Sequence, residues 1–460
     1  MDTTQIYNPD DTICAIATPL GTGAIAVCRL SGPQAFAIAD KVWRGKSLTE
    51  APSHTAHLGN IVDPADGSIL DQAVATTFKA PRSFSGDDTI EFAIHGSRWI
   101  QRQLIALLCR CGARPALPGE YTRRAYATGR MDLAEAEAVA DLISASSAAS
   151  HRLAMTQMRG RYSERLNMLR NSLVELASLL ELELDFSEED VEFASRPRLL
   201  ELANTIHSEL DVLARSFDAG RAIKDGIPVA IIGPTNAGKS SLLNALLGDD
   251  RAIVSDIHGT TRDIVEDTLE IGPYLFRIKD TAGLRHTDDT IENLGIERSL
   301  KAAATATIVL MVIDPEAIPD ITEADPSKTI FVINKSDVSD TEQARTAILA
   351  QYPEAEIHTI SAKNGTGLDQ LRAALLSRAE AMTASGTAAD YTVTNARHAA
   401  ELRCAADAAA ATAAALTTGL PADLIAQDVR ATIHHLGAIT GHITTPEILQ
   451  NIFEKFCIGK

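Results

Sequence analysis

The spacing of apolar residues changes along the chain, and the changes mark out its regions. Up to about residue 120, short β-like runs (Thr12–Ala17, Gly23–Leu30, Asp71–Phe78, Asp88–Ile94) mix with helical stretches at Gln34–Val42 and Ser97–Cys111. Such a mixture predicts an α+β domain. From Asp132 to about Phe217 the period becomes helical, with few Gly or Pro to interrupt it. Leucines at Leu166, Leu169, Leu173, Leu176, Leu179 and Leu180 form a stripe there. Between about 218 and 378, β-like runs return at Ile227–Ile232, Tyr274–Lys279, Thr329–Ile333 and Ile357–Ile360, and Ser240–Leu247 opens a helix. Beyond a Ser/Gly/Ala/Thr stretch at 383–389, the Ala-rich segment 394–450 is helical again, and Ala405–Ala415 reads as a close-packed helix face rather than a linker. The predicted fold is multidomain α/β. An N-terminal α+β domain spans 1–120, a discontinuous helical bundle is formed by 121–217 and 379–460, and a small α/β domain at 218–378 is inserted between its halves. Insertion is tolerated because domain termini often lie close together.

The inserted block carries the chemistry. Gly233-Pro-Thr-Asn-Ala-Gly-Lys-Ser240 matches G-x-x-x-x-G-K-[ST] and lies between an apolar run and a helix, the context this phosphate-binding loop requires. Its glycines let backbone N–H groups face phosphates, Lys239 supplies a point charge and the Ser240 hydroxyl a Mg²⁺ ligand. Asn236, Ala237, Gly238, Lys239, Ser240 and Ser241 are the contacting positions. Three further elements follow in order: Gly259-Thr-Thr-Arg-Asp263, Asp280-Thr-Ala-Gly283 and Asn334-Lys-Ser-Asp337. Asp280, with Thr281 and Ala282 beside it, holds the Mg²⁺ shell at a strand end, and the Gly283 N–H meets the γ-phosphate. Asn334, Lys335 and Asp337 read the base. A carboxylate at Asp337 accepts from guanine N1 and N2, a donor pair that adenine lacks, so GTP rather than ATP is the expected substrate. Ser361-Ala362-Lys363 closes over the base. Taken singly, each short piece is also an ordinary strand-end turn; in this sequence and setting they predict a P-loop (Ras-like) GTPase domain.

With 460 residues there is material for about three cores, and 45% hydrophobic against 22% charged residues describes a soluble globular protein. A net charge of −19 argues against tight nonspecific nucleic-acid binding, so work on RNA requires a local basic patch or a basic partner. The cysteines (Cys14, Cys28, Cys109, Cys111, Cys404, Cys457) lack C-x-x-C pairs and read as reduced thiols, with Cys109-Arg-Cys111 in a helix or turn rather than a zinc site. Met1-Asp-Thr-Thr-Gln has no basic leader character, and no run approaches the length of a membrane span. A cytoplasmic protein with no membrane association is expected.

Outside the GTPase block, three segments carry a specific pattern: Ser83-Phe-Ser-Gly-Asp-Asp-Thr-Ile-Glu91 with His95-Gly96, Pro118 through Leu133, and the terminal Phe456-Cys-Ile-Gly-Lys460. Together with the inserted GTPase they closely resemble the MnmE (TrmE) family of tRNA modification GTPases, over the whole chain. The resemblance implies an N-terminal domain that binds a formyl-tetrahydrofolate or related folate and forms a homodimer. It also implies a flavoprotein partner, MnmG (GidA), with which an aminomethyl or carboxymethylaminomethyl group is added to C5 of the wobble uridine of certain tRNAs. Arg29, Glu91, Arg130 and Lys460 match the folate-contacting positions, Arg130 standing where the family more often has Lys. The chemistry agrees: a pterin's paired N–H groups suit Glu91, and a glutamate tail needs cations such as Arg29 or Arg130. The other reading of these residues is fold-stabilising ion pairs. Cys457 fits a prenylation box poorly, since Gly459 and Lys460 are wrong for its end and no polybasic run precedes it. It is read as lining a substrate site, with a nucleophilic thiol as the alternative.

Hydrolysis needs something other than the usual glutamine after D-x-x-G, because Leu284 stands there. The resemblance points to Glu292, in Thr290-Ile-Glu-Asn-Leu-Gly295, as the catalytic carboxylate that positions water; a solvated helix charge is the alternative. It also implies a K⁺ ion in place of an arginine finger. Its ligands would be Asn236, Ser255, the Ile257 carbonyl and Thr260, within a loop that also places Asp256, His258 and Gly259 at the nucleotide. Thr261 would complete the Mg²⁺ shell with Ser240. Dimerisation of the inserted domain on GTP would then switch hydrolysis on. A competing function of another class is a GTP-gated RNA-binding or ribosome-assembly switch. That reading requires a basic RNA-binding appendage, which the Ala-rich, weakly charged tail does not provide.

Overall fold

The computed structural model describes residues 7–185, 196–248, 267–279, 302–322, 324–384 and 391–459. The fold is multidomain α/β, and the chain divides into two compact units. One comprises Met1–Ile143, Thr156–Ile206 and Asp407–Lys460; the other comprises Ser144–Met155 and His207–Ala406.

In the first unit, strands β1 (Ile13–Ile16), β2 (Ile25–Ser31), β3 (Trp43–Arg44), β4 (Thr55–Val62), β5 (Ile69–Phe78), β6 (Thr89–His95) and β7 (Arg114–Pro115) form a sheet of order β3-β4-β5-β6-β2-β1-β7. Helices α1 (Ala35–Val42) and α2 (Arg98–Arg110) pack on it, and Ile38, Leu104 and Leu108 meet Ile90, Phe92, Cys28 and Leu30 in a common core. The strand period of two then decides the site. Because Phe92 and Cys28 face that core, Glu91 and Arg29, which oppose each other in the β2/β6 register, are delivered to the other face. The expected strands and helices of this region are present. Strand β4 was not foreseen, since Gly59-Asn60 interrupts its apolar alternation and Ala56 and Leu58 point outward. Cys109 and Cys111 sit at the end of α2, in helix and cap.

Helices α3 (Glu120–Ala127), α4 (Leu133–Ser144), α5 (Ala148–Met158), α6 (Arg161–Asp185), α7 (Arg196–Arg215) and α8 (Phe217–Asp225) follow. Of the leucine stripe, Leu166, Leu169, Leu173, Leu176 and Leu180 are buried in α6 and Leu179 is half-buried. Burying such a side chain is worth about 1.5–3 kcal/mol, which holds a helix too polar elsewhere to persist alone. The helix packed along α6 is Ala422–Thr440, from beyond the α/β block, so the helical layer is built from two distant stretches of chain. In the helix Ala396–Thr418, Ala399, Leu402, Ala405, Ala409 and Leu416 are buried at helical spacing, the close-packed face expected of the alanine run. The last helix, Pro446–Phe453, packs against α3, and Phe453 and Phe456 join Leu133 and Ala136 in one cluster.

The second unit holds a sheet of order β13-β12-β11-β8-β10-β9, from β8 (Ile227–Ile232), β9 (Asp267–Ile271), β10 (Tyr274–Lys279), β11 (Ile308–Ile313), β12 (Thr329–Ile333) and β13 (Glu356–Thr359). All neighbours are parallel except the β9–β10 hairpin. Near-continuous apolar runs in β8, β11 and β12 fit strands covered on both faces. Helix α9 (Lys239–Leu247) starts directly after the phosphate-loop sequence.

Candidate functional site

The loop Gly233–Ser240 joins the end of β8 to α9. It turns through conformations with positive φ at Gly233 (143°), Asn236 (65°) and Gly238 (95°). At Gly233 a side chain would run into the Val312 carbonyl, and at Gly238 into the Asn334 amide, so both glycines are required by close approach as well as by φ. Lys239 Nζ donates to the Gly233 and Pro234 carbonyls at 2.8 Å each, arching over the loop. That leaves its third N–H for a phosphate oxygen. Burial pushes the Lys239 amine below its ordinary range. Ser240 follows in the first turn of α9, half-buried, with Ser241 exposed beside it. Residues 237 to 241 thus offer a helix N-terminus, a cation and a hydroxyl to one anion, a set that fits a nucleotide's phosphates with Mg²⁺. Asn236 is exposed at the rim, and its amide oxygen has no protein partner among the described residues.

Two strand ends add the base side. Asn334, buried to 3% exposure, donates from Nδ2 to the Ala237 carbonyl at 2.9 Å and accepts from the Ala362 N–H at 3.0 Å. It therefore ties the phosphate loop to Ser361–Lys363 rather than pointing freely at a base. Asp337, exposed, accepts the Ser361 hydroxyl on Oδ1 at 2.7 Å, which orients the carboxylate and keeps Oδ2 open. Lys335, with φ of 61°, pairs with Asp314 at 2.6 Å, and that hydrogen bond holds the Asp314 carboxyl below the usual carboxylate range. Lys363 is exposed at the end of the same loop. The clamp by Asn334 and the Asp314 partner were not anticipated from sequence; the run Ile308–Ile313 ahead of Asp314 was the available signal. Ser255, Asp256, Ile257, His258, Gly259, Thr260, Thr261, Asp280, Thr281, Ala282, Gly283, Leu284, Glu292 and Lys460 lie outside the described residues.

A second constellation lies in the first unit. Arg29 Nε and Nη2 both reach Glu91 Oε1 at 2.8 Å, and Oε2 has no protein partner among the described residues. The Arg29 guanidinium lies 5.2 Å from the Phe84 ring centroid and 5.4 Å from that of Tyr121, whose hydroxyl donates to the Arg29 carbonyl. Its Nη1 approaches the Gly459 carbonyl at 3.4 Å. The tail is seated by Gly459 itself, at φ of 99°, where a side chain would meet the Ile16 carbonyl. Upstream, the Cys457 carbonyl accepts from the Gly119 N–H, while the Cys457 side chain is exposed. Arg130 is not part of this pair. It lies on a groove of about 370 Å³ with Phe84, Phe78, Ser83, His54 and Arg82, and Phe84 is common to both places. The Arg29–Glu91 ion pair is thus formed, with one carboxylate oxygen free and two aromatic rings beside the guanidinium.

Among the described residues no helix is long and apolar enough to cross a membrane, and no cluster of His, Cys, Asp and Glu is arranged to hold a metal ion. Compared with known proteins, residues 12–130 match the family described as GTP-binding protein TrmE N-terminus, and residues 133–457 the family described as MnmE helical domain. A tRNA modification GTPase MnmE of Cytophaga hutchinsonii is 46% identical over 100% of both chains. That of Parabacteroides distasonis is 48% identical over 98% of this chain and 100% of its own. That of Bacteroides thetaiotaomicron is 46% identical over 98% and 99%.

Proposed function

The chain belongs to the MnmE family, and from that premise we propose that it is a GTPase that hydrolyses GTP in the service of tRNA modification. The observation that carries the GTP reading is the Asn334 clamp. It locks the phosphate loop, the Asp337 strand end and the Ser361 loop into one frame, so that a base and its phosphates are read together. In that frame Asp337 accepts from the guanine edge, Lys239 and the N–H groups of 237–241 hold the phosphates, and Ser240 with Thr261 would hold Mg²⁺, which neutralises charge on the transferred group. Asn236, with Ser255, the Ile257 carbonyl and Thr260, would hold K⁺ beside it, all four being hard oxygen donors. Glu292 would position the attacking water, with dimerisation of the nucleotide domain bracing the loops.

In the N-terminal site, Arg29, itself met by the Gly459 carbonyl, holds Glu91 so that its free oxygen accepts from a pterin, and a formyl-tetrahydrofolate-type donor is the ligand we infer. The product is a C5-modified wobble uridine made with MnmG, in a cytoplasmic homodimer. The domain limits for this reading are 1–120, 121–217 with 379–460, and 218–378. Steady-state hydrolysis of GTP and ATP by the full chain tests the premise. GTP should be turned over and ATP should fail to compete; equal use of both would sink the base-reading role of Asp337.

A further inference from the structure

Three thiols converge where α2 meets the sheet of the first unit. Cys14 lies on β1 at 1% exposure, Cys28 on the neighbouring strand β2 at 0%, and Cys109 half-buried in the last turn of α2. Neither site described above uses them. The Sγ atoms of Cys14 and Cys109 stand 3.9 Å apart, although 95 residues separate them in sequence. As an S–H···S contact this is weak. As the precursor of a disulfide it needs an approach to about 2.05 Å, and the two sides differ in their freedom to make it. Strand β1 is fixed by ladders to β2 on one side and β7 on the other. Helix α2, by contrast, ends one residue beyond Cys109, and Gly112 follows at φ of 118°, where even an added side chain would meet nothing nearer than Ile38 at 3.8 Å. The helix end is the side that moves. The sulfurs differ in reach as well, because burial pushes the Cys14 and Cys28 thiols well above the ordinary thiol range and keeps both protonated and away from solvent. An oxidant in solution meets Cys109 first.

We propose that Cys14 and Cys109 are a modification site for peroxide, and that the reversible disulfide formed there straps α2 to β1. The Cys109 thiolate attacks hydrogen peroxide, the O–O bond breaks, and a Cys109 sulfenic acid and hydroxide result. The Cys14 sulfur then attacks the sulfenic sulfur; the S–S bond forms as the S–O bond breaks, and the Cys14 proton leaves with the hydroxyl as water. In all, two thiols lose two electrons and two protons, and one peroxide becomes two waters. A dithiol reductant reverses the link by exchange.

Peptide mapping of the full chain by mass spectrometry tests this, after brief exposure to hydrogen peroxide and alkylation of the remaining thiols in denaturant without reductant. Fragment spectra should place a link between Cys14 and Cys109, and dithiothreitol should remove it. Cys28→Ala should keep the link, and in the Cys14→Ala chain Cys109 should stay unlinked. Both tryptophans, Trp43 and Trp99, belong to this unit, so their fluorescence follows its unfolding apart from that of the nucleotide unit. Because the link closes a long loop, the oxidised chain should unfold at a urea concentration about 1 M higher than the reduced chain, and Cys109→Ser should show no such rise. Free thiols at Cys14 and Cys109 after the exposed Cys404 and Cys457 have been oxidised would overturn the proposal, as would a link from Cys109 to Cys28 or Cys111 instead. Cys109 halted at the sulfinic acid would show that Cys14 does not reach it. A linked chain with an unchanged midpoint would overturn the strap.

Discussion

In the nucleotide loop, every group from Gly233 to Ser240 comes from one unbroken stretch of chain. At the N-terminal site, Arg29 meets Glu91 across 62 residues and Gly459 across 430. The first site is built mostly of backbone: its glycines, the start of α9 and the carbonyls that hold Lys239 follow from local conformation. The second is built of side chains whose meeting depends on sheet register, ring packing and a docked tail. Local construction makes a site tolerant of change elsewhere in the fold; non-local construction ties it to the integrity of the whole unit.

The largest effect should come from Glu292→Ala, which would bind GTP normally and hydrolyse it about 10²–10³ times more slowly, as loss of a water-orienting group does. Single-turnover kinetics reads this, and a rate within about threefold of the native chain would make Glu292 a solvated surface charge. Next, Asp337→Asn should lower GTP affinity by roughly a hundredfold and raise that for xanthosine triphosphate, because the amide donates where the carboxylate accepts. Retained GTP preference would move base selection to another residue. Deleting residues 457–460 sharpens the contrast between the sites. Hydrolysis should stay within about twofold, since the tail belongs to the other unit, whereas folate affinity should fall about tenfold as Arg29 loses the Gly459 carbonyl. An equal loss of both would show that the sites are not independent. The smallest effect is that of the ion: hydrolysis should run several-fold faster in KCl than in NaCl at equal ionic strength, and Asn236→Ala should abolish the difference.

The two sites were also unequally legible. Strand, loop and helix at Ile227–Leu247 could be read directly, because an apolar run, glycines and a lysine at fixed spacing leave few conformations open. Asn334 was legible as a base-side residue but not as a clamp, since its partners Ala237 and Ala362 contribute only backbone groups. Nothing in the spacing of Arg29 and Glu91 announces their contact; only resemblance put them in one site, and the β2/β6 register supplies the reason. Resemblance likewise grouped Arg130 with them; in the structure it lines a groove with Phe84, a ring that also lies beside Arg29. Strand β4 stayed hidden because its outward face carries Leu58 and Ala56, so its pattern lacks clean alternation.

Service in tRNA modification is read out by mass spectrometry of tRNA nucleosides from a strain lacking the chain, with and without its gene restored. C5-modified wobble uridines should disappear on deletion and return with the native chain, but not with Glu292→Ala. Unchanged wobble uridines in the deletion strain would contradict that role.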